Sequence, residues 1–509
     1  MLKRLISVGL LGLAVFSGCA PGRDSAPPAP PANVLLITVD ALRADAVSWT
    51  GRDGFQTTPN LDALAESSVV FSQAVTSFPG TTASMPSLMT GLFPNFEGVE
   101  EWNQHTYHGF NEFETEEEAG RPAIGDALPM LAEILANAGF RTIGFNTNPN
   151  LIADRNFNQG FTEYEDFGDY MTTAKKERKH RLEAAYPPAD VVLSRVIPAV
   201  ESFGGEPFFL WVHLMEPHSP YLPPPPYDRV SPRVFSQVPD LEINGVLYNY
   251  LHRQWGAKPE KIVHPSLDEI GIEKAQLIEH LWGLYEGEIR FGDAEIARLL
   301  AVMDEKGLLA DTLVVITADH GEEFFDHGSV THHRSSGFAE ELIRIPLLLR
   351  PPGGLPEPRT IDGLVRMVDL APTILDFLGL ADRTGSMEGR SLRPLVEGEK
   401  DEPRIAFYST IRYEIVRTER WKYRLEKEGL VDGRPVERLF DIVADPMETT
   451  DLAAERPEVV ASLRAEYAAF AESLGRRGQL VAQGVAAAGT PDGIDEDTRE
   501  QLEALGYLD

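Results

Sequence analysis

Two stretches far apart in the chain constrain its fold most: NVLLITVDALRAD (Asn33 to Asp45) and TLVVITADHGEE (Thr312 to Glu323). Each is a short apolar run rich in β-branched residues, the composition of a strand covered on both faces of a parallel sheet. Each ends in acid, at Asp40 in the first and at Asp319, followed by His320, in the second. In open α/β sheets, ligands gather beyond the carboxyl ends of the strands. A cap or a turn accounts for either acid alone. Both together, after such strands, put two carboxylates and an imidazole at one rim, a nest for a divalent cation.

Between and after these runs, helical and β-like segments alternate. LPMLAEILANAGF (Leu128 to Phe140) has helical apolar spacing, RTIGFNTN that follows reads as a strand, and PFFLWVHLME (Pro207 to Glu216) as another buried strand. The alternation predicts an α/β fold with helices on both faces of a mostly parallel sheet. Residues 222–265 are rich in proline and read as an irregular insertion or lid. After residue 385 the pattern changes to antiparallel strands and a packing helix, a small C-terminal α+β subdomain over 385–475, with 476–509 as a flexible tail carrying a short last helix.

Further segments stand in a fixed order: TPNLDALA (Thr58 to Ala65), SLMTGLFP (Ser87 to Pro94), WVHLMEPHSPY (Trp211 to Tyr221), YEGEIRFGDAEIARLL (Tyr285 to Leu300), MVDLAPTILDFLGL (Met367 to Leu380) and RLFDIVADPMETTDL (Arg438 to Leu452). With them the chain resembles the sulfatases of the alkaline phosphatase superfamily along nearly its whole length. The resemblance implies an alkaline phosphatase-like mixed sheet sandwiched by helices over residues 33–384. It also implies a metal-dependent hydrolase of sulfate esters working by in-line displacement.

The nucleophile position departs from that family. Sulfatases carry cysteine or serine in a C/S-x-P-x-R segment, ten residues before the glycine of the L-x-T-G turn, and convert it to formylglycine. Here that count back from Gly91 reaches Thr81, with Ala83 and Met85 where proline and arginine would stand. Formylglycine is therefore not expected. Threonine in this place resembles the phosphodiesterases, pyrophosphatases and phosphoglycerol transferases of the superfamily, which attack through the hydroxyl itself, activated by a base or a metal. A phosphodiesterase, phosphonate hydrolase or phosphoglycerol-type transferase using Thr81 is the alternative expectation. Thr81 also fits as a helix cap, and Thr82 is the nearest rival nucleophile. The resemblance implies Asp40, Thr81, Asp319 and His320 as metal ligands. It gives His218, His327 and one of His332 and His333 as catalytic groups on the transferred anion, with Arg43 and Arg334 as candidate substrate-binding cations. Asp293 matches a family position but reads first as structural. Only one acid stands at the first motif, and His320 adds nitrogen, which moves the cation from calcium toward zinc or manganese, with magnesium also open. A third reading, a silent metal-binding lipoprotein, keeps the fold without turnover.

The amino terminus has its own pattern. Lys3 and Arg4 precede an apolar stretch, Leu5 to Phe16, too short to span a bilayer and followed by FSGC. That box resembles a lipoprotein cleavage site, and Cys19 within it is the only cysteine. Residues 1–19 are expected to be a signal, Cys19 a lipid-modified anchor in a bacterial cell envelope, and the Pro/Ala-rich residues 20–32 a tether. The net charge of -33 excludes nucleic acid as a partner. The expected substrate is a sulfate or phosphate ester, as a small molecule or linked to glycan or lipid.

Overall fold

The computed structural model describes residues 33–50, 55–94, 124, 128–170, 186–235, 239–254, 266–332, 338–410, 412–431 and 434–487. The larger sheet has eight strands in the order β4-β3-β5-β1-β6-β7-β2-β8. They are β1 (Asn33–Val39), β2 (Val69–Val75), β3 (Arg141–Asn146), β4 (Glu163–Glu165), β5 (Phe208–Leu214), β6 (Thr312–Ala318), β7 (Leu347–Arg350) and β8 (Arg359–Arg366). β7 alone runs antiparallel, to both β6 and β2. β1, β5 and β6 are buried along their whole lengths, which explains why their sequences are continuous apolar runs rather than alternating ones. Helices flank this sheet, among them Ala189–Glu201 packed on the long helix Lys274–Glu305.

The second sheet, β9 (Ala406–Ser409), β10 (Tyr413–Arg417), β11 (Trp421–Val431) and β12 (Arg434–Asp441), is antiparallel throughout. One face carries the helix Pro457–Ala487, with Val416, Tyr423, Leu439, Val460, Leu463 and Tyr467 forming a small core. That helix continues to Ala487, past residue 475 and into the stretch expected to be a flexible tail. Its composition there, RRGQLVAQGVAA, holds good helix formers and no proline. Residues 488–509 lie outside the described residues. The lid expectation for 222–265 is also corrected in part: Asp240–Gln254 is helical. No proline falls between Pro239 and Pro259, and Asn244 on this helix bonds the N–H and C=O of Tyr221 at 2.7 and 2.8 Å.

Candidate active site

Strand register builds the site. Val39 pairs with Ala318, and Thr38 with His213, which in turn pairs with Asn146, so β3, β5, β1 and β6 end on one line. Asp40 and Asp319 are the residues that follow. Ala41 takes a left-handed φ of 56°, a conformation costing ~1–2 kcal/mol for a residue with a Cβ. Its N–H donates to Asp319 Oδ1 at 3.0 Å, and the His320 N–H donates to the same oxygen at 2.8 Å. Gly321 is required by close approach: its N–H bonds Leu342 O at 2.8 Å, and a Cβ there would lie 1.9 Å from Glu341 O.

Thr81 opens the helix Thr81–Thr90, behind Gly80 at the cap position. Its hydroxyl is turned into the nest rather than onto the helix end. Oγ1 lies 3.4 Å from Asp40 Oδ2, 3.3 Å from His320 Nε2 and 3.3 Å from Asn148 Nδ2. At the other end Gly91 closes the helix with φ 67°.

Each carboxylate has one oxygen held by the chain and one left over. Asp40 Oδ2 accepts from Asn148 Nδ2 at 2.6 Å and lies 3.3 Å from His213 Nε2. Asp40 Oδ1 and Asp319 Oδ2 are buried and have no hydrogen-bond partner among the described residues. His320 shows the same polarity. Its Nδ1 faces Gly321 O at 2.8 Å, so Nδ1 donates, and in the neutral ring Nε2 carries the lone pair. That lone pair faces Asp40 Oδ1 at 3.6 Å and Asp319 Oδ2 at 3.4 Å, too long for charge-assisted hydrogen bonds. Acceptors facing acceptors in a dry pocket are reconciled by a proton or by a cation between them. A histidine whose other N–H is fixed by a backbone carbonyl is the usual metal-binding arrangement. The residues therefore fit a divalent cation, with Asp40, Asp319 and His320 as ligands and Thr81 beside them.

The acids titrate in opposite directions. Burial opposes the charge on Asp40, but His218, the hydrogen bond from His213 and His320 outweigh it and hold the carboxyl well below the usual range. Burial, then the charge of Asp40, push the Asp319 carboxyl up. Two adjacent carboxylates cannot both ionise cheaply, and a cation removes the conflict.

A second layer of histidines borders this nest. The His332 ring lies 4.1 Å from that of His320 and 5.1 Å from that of His218, centroid to centroid. His218 Nδ1 bonds Ser219 O at 2.6 Å, and His332 Nδ1 lies 3.2 Å from Glu322 Oε1. Tyr221 OH donates to Glu322 Oε2 at 3.1 Å. Burial pushes the Glu322 carboxyl up to about 8, against the pull of His320 and the Tyr221 hydroxyl.

Other expected site residues are placed elsewhere. His327 is held at the seam with the second sheet, Nδ1 2.6 Å from Glu341 Oε1 and Nε2 3.0 Å from Met447 O. Both ring nitrogens face acceptors, so the ring is a double donor, and its pKa is raised to about 9, first by the Glu341 hydrogen bond. Arg43 is buried over Trp282 and spends its guanidinium on Asp45 (2.8 and 2.9 Å), Asp326 (2.9 Å) and Glu322 O (3.0 Å). It ties together the two strand-end loops. Asp293 accepts from the N–H groups of Asn60 and Leu61 at 3.1 and 2.9 Å, fixing the start of the helix Pro59–Ala65. His333, Arg334 and Cys19 lie outside the described residues.

The structure adds His213, Asn148 and Glu322 to the site. Asn148 had one signal in the sequence, its position just past a buried strand. His213 and Glu322 sit inside motifs, where nothing in their spacing separates them from neighbours.

A mixed α/β sheet whose strand ends hold acids and a histidine around a hydroxyl at a helix start is the architecture of the alkaline phosphatase superfamily. The family model for Sulfatase matches residues 32–380, and that for N-sulphoglucosamine sulphohydrolase, C-terminal, matches residues 337–472. The chain belongs to the sulfatase family. It is 26% identical over 410 residues to the multifunctional alkaline phosphatase superfamily protein PehA of Trinickia caryophylli, covering 72% of this chain and 77% of that one. It is 25% identical over 453 residues to an arylsulfatase of Clostridium perfringens, covering 82% and 90%. The crystal structure of the phosphonate monoester hydrolase of Agrobacterium radiobacter superposes with a TM-score of 0.65 at 21% identity, covering 88% of this chain and 96% of that one.

Proposed function

We propose that this protein is a metal-dependent hydrolase of sulfate esters with Thr81 as its attacking group. The observation that carries the reading is the Thr81 hydroxyl set between Asp40 Oδ2 and His320 Nε2, beside two unpartnered carboxylate oxygens. When bound, the cation supplies positive charge that acidifies a neighbouring hydroxyl and offsets an anionic substrate. Zinc or manganese suits the mixed oxygen and nitrogen donors better than calcium. Asp40 and Asn148 orient the Thr81 oxygen for in-line attack on sulfur. As that bond forms, the Thr81 proton passes to Asp40 Oδ2. The bond to the leaving oxygen breaks, and a protonated imidazole, His332 or His218, delivers a proton to it. Water then attacks the sulfur of the sulfo-threonine, gives a proton to that imidazole, and frees sulfate and the Thr81 hydroxyl. The imidazoles also stabilise charge on the equatorial oxygens. Arg334 and His333, outside the described residues, are the further candidates that the sequence offers for binding the anion.

The departure at the nucleophile favours a second reading, a phosphodiesterase or phosphonate monoester hydrolase. A threonine hydroxyl, with no cysteine or serine available for formylglycine at that position, is the supporting observation. The substrate is a small-molecule, glycan-linked or lipid-linked ester. Cys19 anchors the mature protein by lipid to a membrane of the bacterial envelope, facing the periplasm or the surface, and residues 20–32 hold it off the bilayer. Paired assays on aryl sulfate, phosphonate monoester and phosphodiester substrates test the reaction. Sulfate turnover requiring Thr81 supports the first reading, and diester or phosphonate turnover alone replaces it with the second. Silence on every substrate, with tight metal binding, overturns both.

A further inference from the structure

Behind Asp40, three buried side chains take no part in the steps above. Trp211 and His213 project from the same face of β5, two residues apart, and Thr38 on β1 is the register partner of His213. The Trp211 indole Nε1 donates to Thr38 Oγ1 at 2.9 Å, Thr38 Oγ1 lies 2.8 Å from His213 Nδ1, and His213 Nε2 lies 3.3 Å from Asp40 Oδ2. All four side chains are 0% exposed.

The direction of the protons along this row follows from donor chemistry. An indole N–H can only donate, so Thr38 accepts from Trp211. The hydroxyl proton of Thr38 then faces His213 Nδ1 as its acceptor. With Nδ1 accepting, the neutral ring carries its proton on Nε2, and that N–H is directed at Asp40 Oδ2. In the reverse tautomer the lone pair of Nε2 would face a carboxylate, and a buried hydroxyl proton would lose its acceptor, both unfavourable in a dry interior. Asp40 Oδ2 thus collects Asn148, Thr81 and His213, while Oδ1 collects none.

We propose that His213 is a positioning residue for the cation site. Trp211 and Thr38 set its tautomer, and its N–H pins Asp40 Oδ2, so that Oδ1 is the atom turned toward the cation. His213, Asp40 and Asp319 also lie close enough to hold a metal together, so the competing role is that of a direct ligand. The inference rests on the reading of Asp40 as a ligand, and the experiment separates the two.

Cobalt(II) titration of the metal-free full chain, followed by visible absorption, is the test. His213→Gln keeps an amide N–H near the position of Nε2–H but removes the imidazole nitrogen. It is expected to bind cobalt within about threefold of wild type, with the same spectrum. His213→Leu is expected to bind 10–100-fold more weakly, the usual effect of losing a group that orients a ligand. Trp211→Phe and Thr38→Val, which leave the ring in place, fall between. If His213→Gln loses as much affinity as His213→Leu, or shifts the spectrum, His213 is a ligand and the proposal fails. If His213→Leu binds like wild type, it fails as well. Asp40→Asn is the control: undiminished binding there would overturn the cation reading itself, whereas a loss there with no loss in His213→Leu would sink the positioning role alone. Should His213→Leu not fold, Trp211→Phe carries the same test, with unchanged affinity as the contrary result.

Discussion

The seam between the two sheets and the rim of the larger sheet both bury several charges, and they are closed in different ways. At the seam, Glu340 pairs with Arg417 at 3.0 Å, Glu448 with Lys422 at 2.6 Å, and Lys422 also lies 3.7 Å from Glu340. Lys422 bonds Phe338 O, and the Glu340 N–H bonds Glu448 at 2.8 Å. Against the cost of burial, Arg417 and Lys422 bring the Glu340 carboxyl down to about 2. Nearby, His327 closes on Glu341 at 2.6 Å. Glu340, Glu341 and Glu448 there each meet a cation belonging to the chain. At the rim the corresponding distances from His320 to the acids are 3.4 and 3.6 Å, and one oxygen of each acid is orphaned. A charge cluster that serves the fold completes itself. One that serves chemistry leaves a place for something from outside.

The largest expected effects come from the rim. Asp40→Asn and Asp319→Asn should each lower turnover by on the order of 10³-fold or more and abolish tight metal binding. The metal-free Asp319→Asn protein should be as stable as metal-free wild type or more so, because an uncompensated buried charge has gone. A drop of several kcal/mol in urea unfolding of that apo variant would break the contrast drawn here.

At the seam the expected pattern is reversed. Lys422→Met leaves Glu448 and Glu340 short of a partner and should cost about 3–5 kcal/mol, read by denaturant unfolding, while turnover per folded molecule stays unchanged. Adding Glu448→Gln should recover part of that loss, since it removes the stranded charge. Metal addition to the metal-free wild type should raise stability by about 2.7 kcal/mol at a free concentration 100 times Kd. Asp40→Asn should show no such gain, and thermal melts with and without metal measure both.

The smallest effect concerns pH. The pKa of His327 is raised to about 9 in the folded protein, against ~6.5 for a free histidine. Its contribution is therefore fully present below about pH 6.5 and is lost as pH rises through about 9. The half-buried setting reduces it to on the order of 1–2 kcal/mol. His327→Asn should flatten the stability profile across that window. A wild-type profile with no alkaline decline would contradict the closed His327–Glu341 pair.

Much of this contrast was legible in the sequence at the rim and little of it at the seam. Asp40, Asp319 and His320 announce themselves because a fully buried strand cannot carry charge until it ends, and register then brings the ends together. Thr81 is located by the ten-residue count to Gly91 that the sulfatase resemblance implies, and the structure makes the two residues the start and the capping glycine of one helix. His213 was hidden inside FFLWVHL, where the apolar pattern gives no sign that one face of the strand carries a polar row. His327 lies close in sequence to the site, yet its environment depends on Met447 in the second sheet's segment, a contact 120 positions away. The helix Asp240–Gln254 was masked by prolines on its N-terminal side, which stop short of it.

The most direct test of the account is turnover of an aryl sulfate and a phosphonate monoester by wild type and Thr81→Ala, each stripped of metal and then restored with manganese or zinc. The account predicts turnover only by wild type and only after metal is restored, with Thr81→Ala folded, metal-loaded and reduced by on the order of 10³-fold or more. A metal-loaded Thr81→Ala protein that still turns over either ester at the wild-type rate would contradict it.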